Sequence, residues 1–288
     1  MNLLKRNFKL CARFYSEERS DSPMQRRFLR TLKIISLSLK YLFLKKIEIP
    51  FVEDIVTTKC TLACKHCSNL IPSFRSVNIP DMSVENYLQG VKALTDKVDY
   101  IYRFKIHGGE PMTCNHLVEI IEECCANEKI GEVRMSTNCT ILPDERTIKA
   151  FQNKKFVLFI SNYACVGNNV ERYIELCKKN NIRFRFDENQ KWVTYGQVIK
   201  HNKTEQQLKR ERNLCSMANC VAMKDNKIYL CSRIANAVKL GLIESDNGID
   251  IYSPKFAREI GRMYGQKLNP LCDFCGVDVN SIVEAGEQ

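Results

Sequence analysis

The sequence predicts an α/β fold built on a parallel sheet, followed by a short unit of different character. Three observations predict it. From about residue 50 to 190, apolar β-branched or aromatic runs alternate with helical patterns. Repeated strand–helix units place consecutive strands parallel, joined by right-handed crossovers. The alternation then stops near Trp192, and a polar helix and a tight hairpin pattern follow.

The elements justify this in order. Residues 1–46 hold twelve Lys or Arg and three acids, a net of +9 out of +11 for all 288 residues. The segment lacks the unbroken apolar run and small-residue cleavage site of a secretory signal. Its most apolar stretch, Ile34–Leu44, is interrupted by Lys40 and is too short to span a bilayer. It reads as a solvated helical extension packed by its Leu and Ile residues. Contact with an anionic membrane surface, a nucleic acid or an acidic partner is the alternative.

Strands are expected at Phe51–Thr57, Tyr100–His107, Glu132–Thr137, Phe156–Ser161 and Ile182–Asp187. Their near-continuous apolar character suits strands covered on both faces. Helices are expected at Val84–Lys97, His116–Lys129, Glu145–Gln152 and Val170–Asn180, with Ser83 and Asn169 as N-caps. Five or six such units make a partial barrel or an open sheet. In both, a site forms at the C-terminal ends of the strands. Beyond, Thr204–Asn213 reads as a polar helix, and V-A-M-K-D-N-K-I-Y-L-C as a hairpin turning at Asp225-Asn226. The predicted divisions are a basic extension over 1–48, a core over 49–205 and a small unit over 206–288.

Fifteen cysteines is a high count for this length. Without secretory features they read as reduced thiols of a cytoplasmic protein, where clustering points to metal or redox chemistry. Residues 59–69 read K-C-T-L-A-C-K-H-C-S-N, so Cys60, Cys64 and Cys67 fall in a C-x3-C-x2-C spacing directly after the first strand. A structural zinc site closes with four ligands, and so does a ferredoxin-type cluster. The next cysteine is Cys114. Three thiolates on a four-iron cluster leave one iron open, and an open position on a metal is where a substrate or cosubstrate binds. A zinc knuckle or chance clustering is the bland alternative.

Further along, the second strand ends in H-G-G-E-P, His107–Pro111, the third in M-S-T-N-C-T, Met135–Thr140, and the fourth in Ser161-Asn162-Tyr163. Glycines at 108 and 109 permit close backbone approach, and Glu110 is an anionic acceptor for an ammonium donor. In this order, at successive strand ends, these stretches resemble the radical S-adenosylmethionine (SAM) enzymes over about residues 50–190. The resemblance implies a partial (β/α)6 TIM-like barrel. It implies a [4Fe–4S] cluster on Cys60, Cys64 and Cys67, with an open iron for SAM. It places His66 near the adenine, Gly108, Gly109 and Glu110 on the SAM amino end, Ser136 and Asn138 on the ribose side, and Ser161 at the same mouth. Cys139 stands where glycine is common in the family.

Five more cysteines, Cys215, Cys220, Cys231, Cys272 and Cys275, follow as C-x4-C-x10-C and then C-x2-C. They resemble the short twitch form of the SPASM/twitch auxiliary domains, built around a β-hairpin and holding one further [4Fe–4S] cluster. Five candidates stand for four ligand positions, and zinc is the alternative for this pattern. Cys124, Cys125 and Cys177 read as small buried hydrophobes. Cys139 and Cys165 follow strand ends, where a thiol could return hydrogen to a substrate, although packing is the simpler reading.

The expected function is hydrogen abstraction from an unactivated C–H, with oxidation of a sugar-type or other small molecule. A peptide maturase or epimerase is the alternative within enzymes. A non-catalytic iron–sulfur or zinc protein binding nucleic acid is the alternative of another class. The expected partners are the substrate and a one-electron reductant such as flavodoxin or ferredoxin.

Overall fold

A computed structural model describes residue 43 and residues 46–288, apart from 78, 164–166, 189, 216, 218–219, 245–246 and 266–268. The expectations for the basic extension, Cys11 and Cys165 lie outside the described residues.

The fold is α/β, as the alternation predicts. An eight-stranded sheet runs in the order β5-β4-β3-β2-β1-β7-β8-β9. Its strands are β1 (Glu48–Thr57), β2 (Tyr100–Gly108), β3 (Ile130–Thr137), β4 (Phe156–Ile160), β5 (Phe184–Phe186), β7 (Val221–Lys224), β8 (Lys227–Tyr229) and β9 (Ile249–Asp250). Strands β1 to β5 pair parallel in sequence order. Strand β7 joins the other side of β1, also parallel, with Val52 opposite Val221 and Asp54 opposite Met223. Six strands are therefore parallel, and among the described residues the order is open at β5 and β9. This is a partial barrel with an antiparallel extension. A separate two-stranded ribbon pairs β6 (Lys191–Thr194) with β10 (Asp278–Glu284).

The crossovers are helices α1 (Val84–Lys97), α2 (Leu117–Ala126), α3 (Glu145–Phe151) and α4 (Val170–Lys179). Val91, Leu94, Ile120, Ile121, Phe151 and Tyr173 turn inward onto Ile49, Val52, Phe104, Val133 and Phe156, forming one main core. Each such buried side chain contributes about 1.5–3 kcal/mol of transfer free energy. Ser83 caps α1 by accepting from Asn86 N.

Several boundaries differ from expectation. The first strand starts at Glu48, because Tyr100 of β2 stands opposite it. Helix α2 stops at Ala126 rather than Lys129. Asn127 Oδ1 accepts from Lys129 N, and Lys129 Nζ reaches the Thr95 and Val98 carbonyls, so the chain turns there. Strand β5 keeps three residues, since it has a neighbour on one side only. Asn169 does not cap α4 with its side chain; its Nδ2 donates to the Cys139 carbonyl.

In the last quarter, α5 (Glu205–Leu214) begins in a capping box between Thr204 and Gln207. The β7–β8 hairpin turns at Asp225-Asn226, both left-handed with φ of 49° and 59°, as an Asp-Asn turn of this length favours. Helix α6 (Ser232–Lys239) follows, then α7 (Phe256–Gly265). No helix among the described residues is long and apolar enough to cross a membrane.

Candidate functional site

Parallel strands end together, so the loops after them share one mouth. There a cavity of about 500 Å³ is lined by Cys60, Cys64, His66, Cys67, Gly108, Gly109, Glu110, Ser136, Asn138 and Ser161, ten residues singled out in the sequence. Cys220 lines it too, whereas Cys215, Cys231, Cys272 and Cys275 do not.

The two glycines also let the second strand's end meet the cysteine loop. Gly108 has φ of +133°, and a Cβ on it would stand 2.2 Å from the Thr57 carbonyl oxygen. A Cβ on Gly109 would stand 1.9 Å from the Lys59 carbonyl oxygen. The backbones are joined at that point: Gly109 N donates to Thr57 O at 3.0 Å and Glu110 N to Lys59 O at 2.9 Å. The turn therefore packs directly on the start of the cysteine loop.

Glu110 is 1% exposed. Its Oε1 accepts from Met112 N at 3.1 Å and its Oε2 from Asn138 N at 2.7 Å. Burial raises its pKa to about 7, and these neutral donors only partly offset it. Asn138 continues the network into the cysteine loop. Its Nδ2 donates to Thr61 Oγ1 at 3.0 Å and approaches Cys60 Sγ at 3.8 Å, while Thr140 N donates to its Oδ1 at 3.0 Å. The Asn138 side chain thus orders two loops, and Ser136 and Ser161 face the cavity beside it. Cys139 adopts φ of 61°, the left-handed conformation that glycine adopts without strain, and is fully buried. Its thiol, pushed up to about 12 by burial, points at the Thr137 carbonyl, and it does not line the cavity. It packs in the main core, as the simpler reading has it.

The three loop sulfurs all accept N–H groups. Leu62 N reaches Cys60 Sγ at 3.4 Å, Gln288 Nε2 reaches Cys64 Sγ at 3.4 Å, and the Asn69 and Ile71 backbones reach Cys67. Burial raises the Cys60 and Cys67 thiols, so a cationic metal group is what would hold them as thiolates. This donor set fits a metal–sulfur cluster, and the buried Glu110 beside it fits an ammonium-bearing ligand. Among the described residues, no three His, Cys, Asp or Glu close around a single-ion site.

The opposite wall escaped the sequence reading. Glu53 is 7% exposed; its Oε2 accepts from Ser232 Oγ at 3.0 Å and Lys105 Nζ lies 3.5 Å from Oε1. Burial opposes its charge, but Lys105 leads the groups that hold its carboxyl below the usual range. Burial and Lys105 depress His107 to about 4, so its ring is neutral, and it meets the Asn69 amide at 2.5 Å. The signal was present: Glu53, Lys105 and His107 are polar positions in strands that otherwise read as apolar. Tyr163 and Trp192, edge to face at 5.3 Å between centroids, close one side.

Burial pushes up the Cys231 thiol at the start of α6, and its neighbours Cys215, Cys275 and Cys272 push it further the same way. Cys220 has Glu53, Cys231 and Cys215 as neighbours. It is 4% exposed and donates from Sγ to the Met217 carbonyl at 3.3 Å. Arg233, 3% exposed, ties the two cysteine groups together. It donates to the Ser68, Tyr195 and Gly196 carbonyls, at 3.2, 3.2 and 2.6 Å, and where burial pushes the Cys67 and Cys275 thiols up, its charge offsets part of the rise at both. All thirteen described cysteines are free of disulfides.

The fold and site define an α/β scaffold with a three-cysteine loop at the C-terminal mouth of a parallel sheet. Residues 55–161 match the family described as the Radical SAM superfamily. No curated protein matches the chain. Among solved structures, the chain is similar to BtrN in complex with AdoMet and 2-DOIA, with 14% identity over 83% of this chain and 96% of that one, and a TM-score of 0.50. It is also similar to native anSMEcpe with bound AdoMet and Cp18Cys peptide, with 23% identity, 48% and 42% coverage and a TM-score of 0.37. A third is Streptococcus suis SuiB bound to precursor peptide SuiA, with 17% identity, 59% and 39% coverage and a TM-score of 0.37. The chain spans about two-fifths of the length of anSMEcpe.

Proposed function

We propose that the protein is a radical SAM enzyme that oxidises a small, polar, sugar-type substrate. The observation that carries this reading is the junction at the sheet's mouth. The backbone N–H groups of Gly109 and Glu110 donate to Thr57 and Lys59, which lead into the loop of Cys60, Cys64 and Cys67, and all of these lie in a region matching the Radical SAM superfamily. A [4Fe–4S] cluster held there by Cys60, Cys64 and Cys67, with SAM beside Glu110, would supply one-electron cleavage of the sulfonium and so hydrogen abstraction from the substrate.

The chain's own residues have the following parts. Cys60, Cys64 and Cys67 hold the cluster through thiolates kept anionic by the metal. Glu110 receives the SAM ammonium, which relieves a carboxylate otherwise buried among neutral donors. Asn138 fixes the cysteine loop, and Ser136, Ser161 and His66 complete the SAM side. Glu53, Lys105 and neutral His107 offer a charged and hydrogen-bonding wall to the substrate. Cys215, Cys231, Cys272 and Cys275 hold an auxiliary [4Fe–4S] cluster as electron acceptor, leaving Cys220 as a neutral thiol. A flavodoxin- or ferredoxin-type protein delivers the first electron.

Anaerobic reconstitution with iron and sulfide, then addition of SAM and dithionite, tests the reading. Release of 5′-deoxyadenosine is expected; iron-loaded protein that leaves SAM intact would sink it.

A further inference from the structure

Residues 285–288 follow β10 and lie against the cysteine loop. Lys65 N donates to Glu287 O at 2.8 Å, and Lys65 Nζ pairs with Glu287 Oε1 at 2.8 Å. Ala63 N donates to Gln288 Oε1 at 2.8 Å. Gln288 Nε2 donates both to Gly286 O at 2.6 Å and to Cys64 Sγ at 3.4 Å. The approach is close: Gly286 has φ of +81°, and a Cβ on it would stand 2.5 Å from Tyr163 Cβ. The segment is anchored from behind, because β10 pairs with β6 up to Glu284 opposite Lys191. One primary amide thus holds a loop backbone N–H with its oxygen and a cysteine sulfur with its nitrogen.

We propose that Gly286–Gln288 is a clamp on the cysteine loop, and that Gln288 is a positioning residue whose N–H donation to Cys64 Sγ raises the reduction potential of the group that loop holds. The proposal rests on the reading of Cys60, Cys64 and Cys67 as cluster ligands. Hydrogen bonds to ligand sulfurs stabilise the more negative, reduced state and are among the determinants of cluster potential. The bond to Ala63 N fixes the turn between Cys60 and Cys64, so geometry and potential are set by the same side chain.

Gln288→Leu removes both bonds. Gln288→Glu keeps an acceptor for Ala63 N and removes the N–H donor to sulfur. The full chain, reconstituted anaerobically, is titrated electrochemically while following the EPR signal that SAM perturbs. Amide exchange is followed on the iron-free chain. Both variants are expected to titrate at more negative potential than wild type. Exchange at Ala63 is expected to rise about tenfold in Gln288→Leu, and to stay near wild type in Gln288→Glu. Unchanged potentials in both variants, or unchanged Ala63 exchange in Gln288→Leu, overturn the proposal. A wild-type chain that takes up no iron overturns the cluster reading and with it the tuning role; the exchange data then still decide the clamp.

Discussion

Gly109 and Lys59 meet backbone to backbone, with only 1.9 Å between an added Gly109 Cβ and the Lys59 carbonyl oxygen. A side chain at 109 must push the cysteine loop off the second strand. Gly109→Ala is expected to cost about 3 kcal/mol or more and to lower iron uptake. Gly167→Ala, where nothing lies within 4 Å of the added Cβ, is the control and stays within about 0.5 kcal/mol of wild type. Urea midpoints and iron content read both.

Glu110 is the expected partner of the SAM ammonium, but it also holds Met112 N and Asn138 N. Two substitutions separate these duties. Glu110→Gln keeps one acceptor and is expected to retain the fold and iron while weakening SAM by about 1.5–3 kcal/mol, roughly ten- to a hundredfold. Glu110→Ala is expected to lose thermal stability as well. Equal SAM affinity in Glu110→Gln and wild type, by calorimetry, removes Glu110 from the SAM site.

Two four-iron clusters imply roughly eight irons per chain. Replacing Cys60, Cys64 and Cys67 together by Ala should leave about four. Cys231→Ala is expected to lose the other set, whereas Cys220→Ser, which removes a thiol that donates to Met217 O, should keep the full count. Stoichiometric zinc beside about four irons would assign the second group to zinc.

Asp54 is 2% exposed and accepts from the Tyr87 hydroxyl. Burial raises its pKa from 3.8 to about 7. Between those values the folded chain keeps a proton that the unfolded chain releases. Stability therefore falls as pH rises from about 4 to about 7, by up to about 4 kcal/mol from this group. Asp54→Asn still accepts from Tyr87 and cannot ionise. Its stability relative to wild type should grow across that window in chemical denaturation; a constant difference would refute the assignment.

Arg233 satisfies three carbonyls from two loops. Arg233→Met leaves them unpaired in the interior, at about 3 kcal/mol or more. Arg233→Lys should recover little, because one ammonium cannot reproduce the planar fork. Thermal unfolding of the iron-free chain separates this from any effect on metal.

Local order was legible where residues interact with near neighbours. Tyr100–His107 alternates with capped helical runs, and the hairpin turns at Asp225-Asn226, because strand propensity, Ser83 capping and left-handed Asn are local properties. The site loops were legible because they sit at strand ends. What stayed hidden depends on distant partners. The pairing of β1 with β7 joins Val52 to Val221, and Gln288 meets Ala63; neither leaves a periodic trace. Cys139 shows the limit from the other side: a cysteine at a glycine-like position signalled an unusual backbone, and only the fold showed its thiol turned away from the cavity.

The pairing of β7 along β1 has a practical consequence for anyone dissecting the molecule. Strand β1 is interior only because residues 221–224 cover its second side. A fragment cut near residue 205 would bare the amide and carbonyl row of Val52, Glu53 and Asp54 as a raw edge, the kind of surface that recruits foreign strands. Such a piece should sediment as aggregates rather than as a miniature of the whole. The strand bearing the first cysteine loop and the hairpin leading to the second cysteine group are one continuous piece of carpentry, so a cut between them is expected to cost the first group its footing even though none of its cysteines is removed.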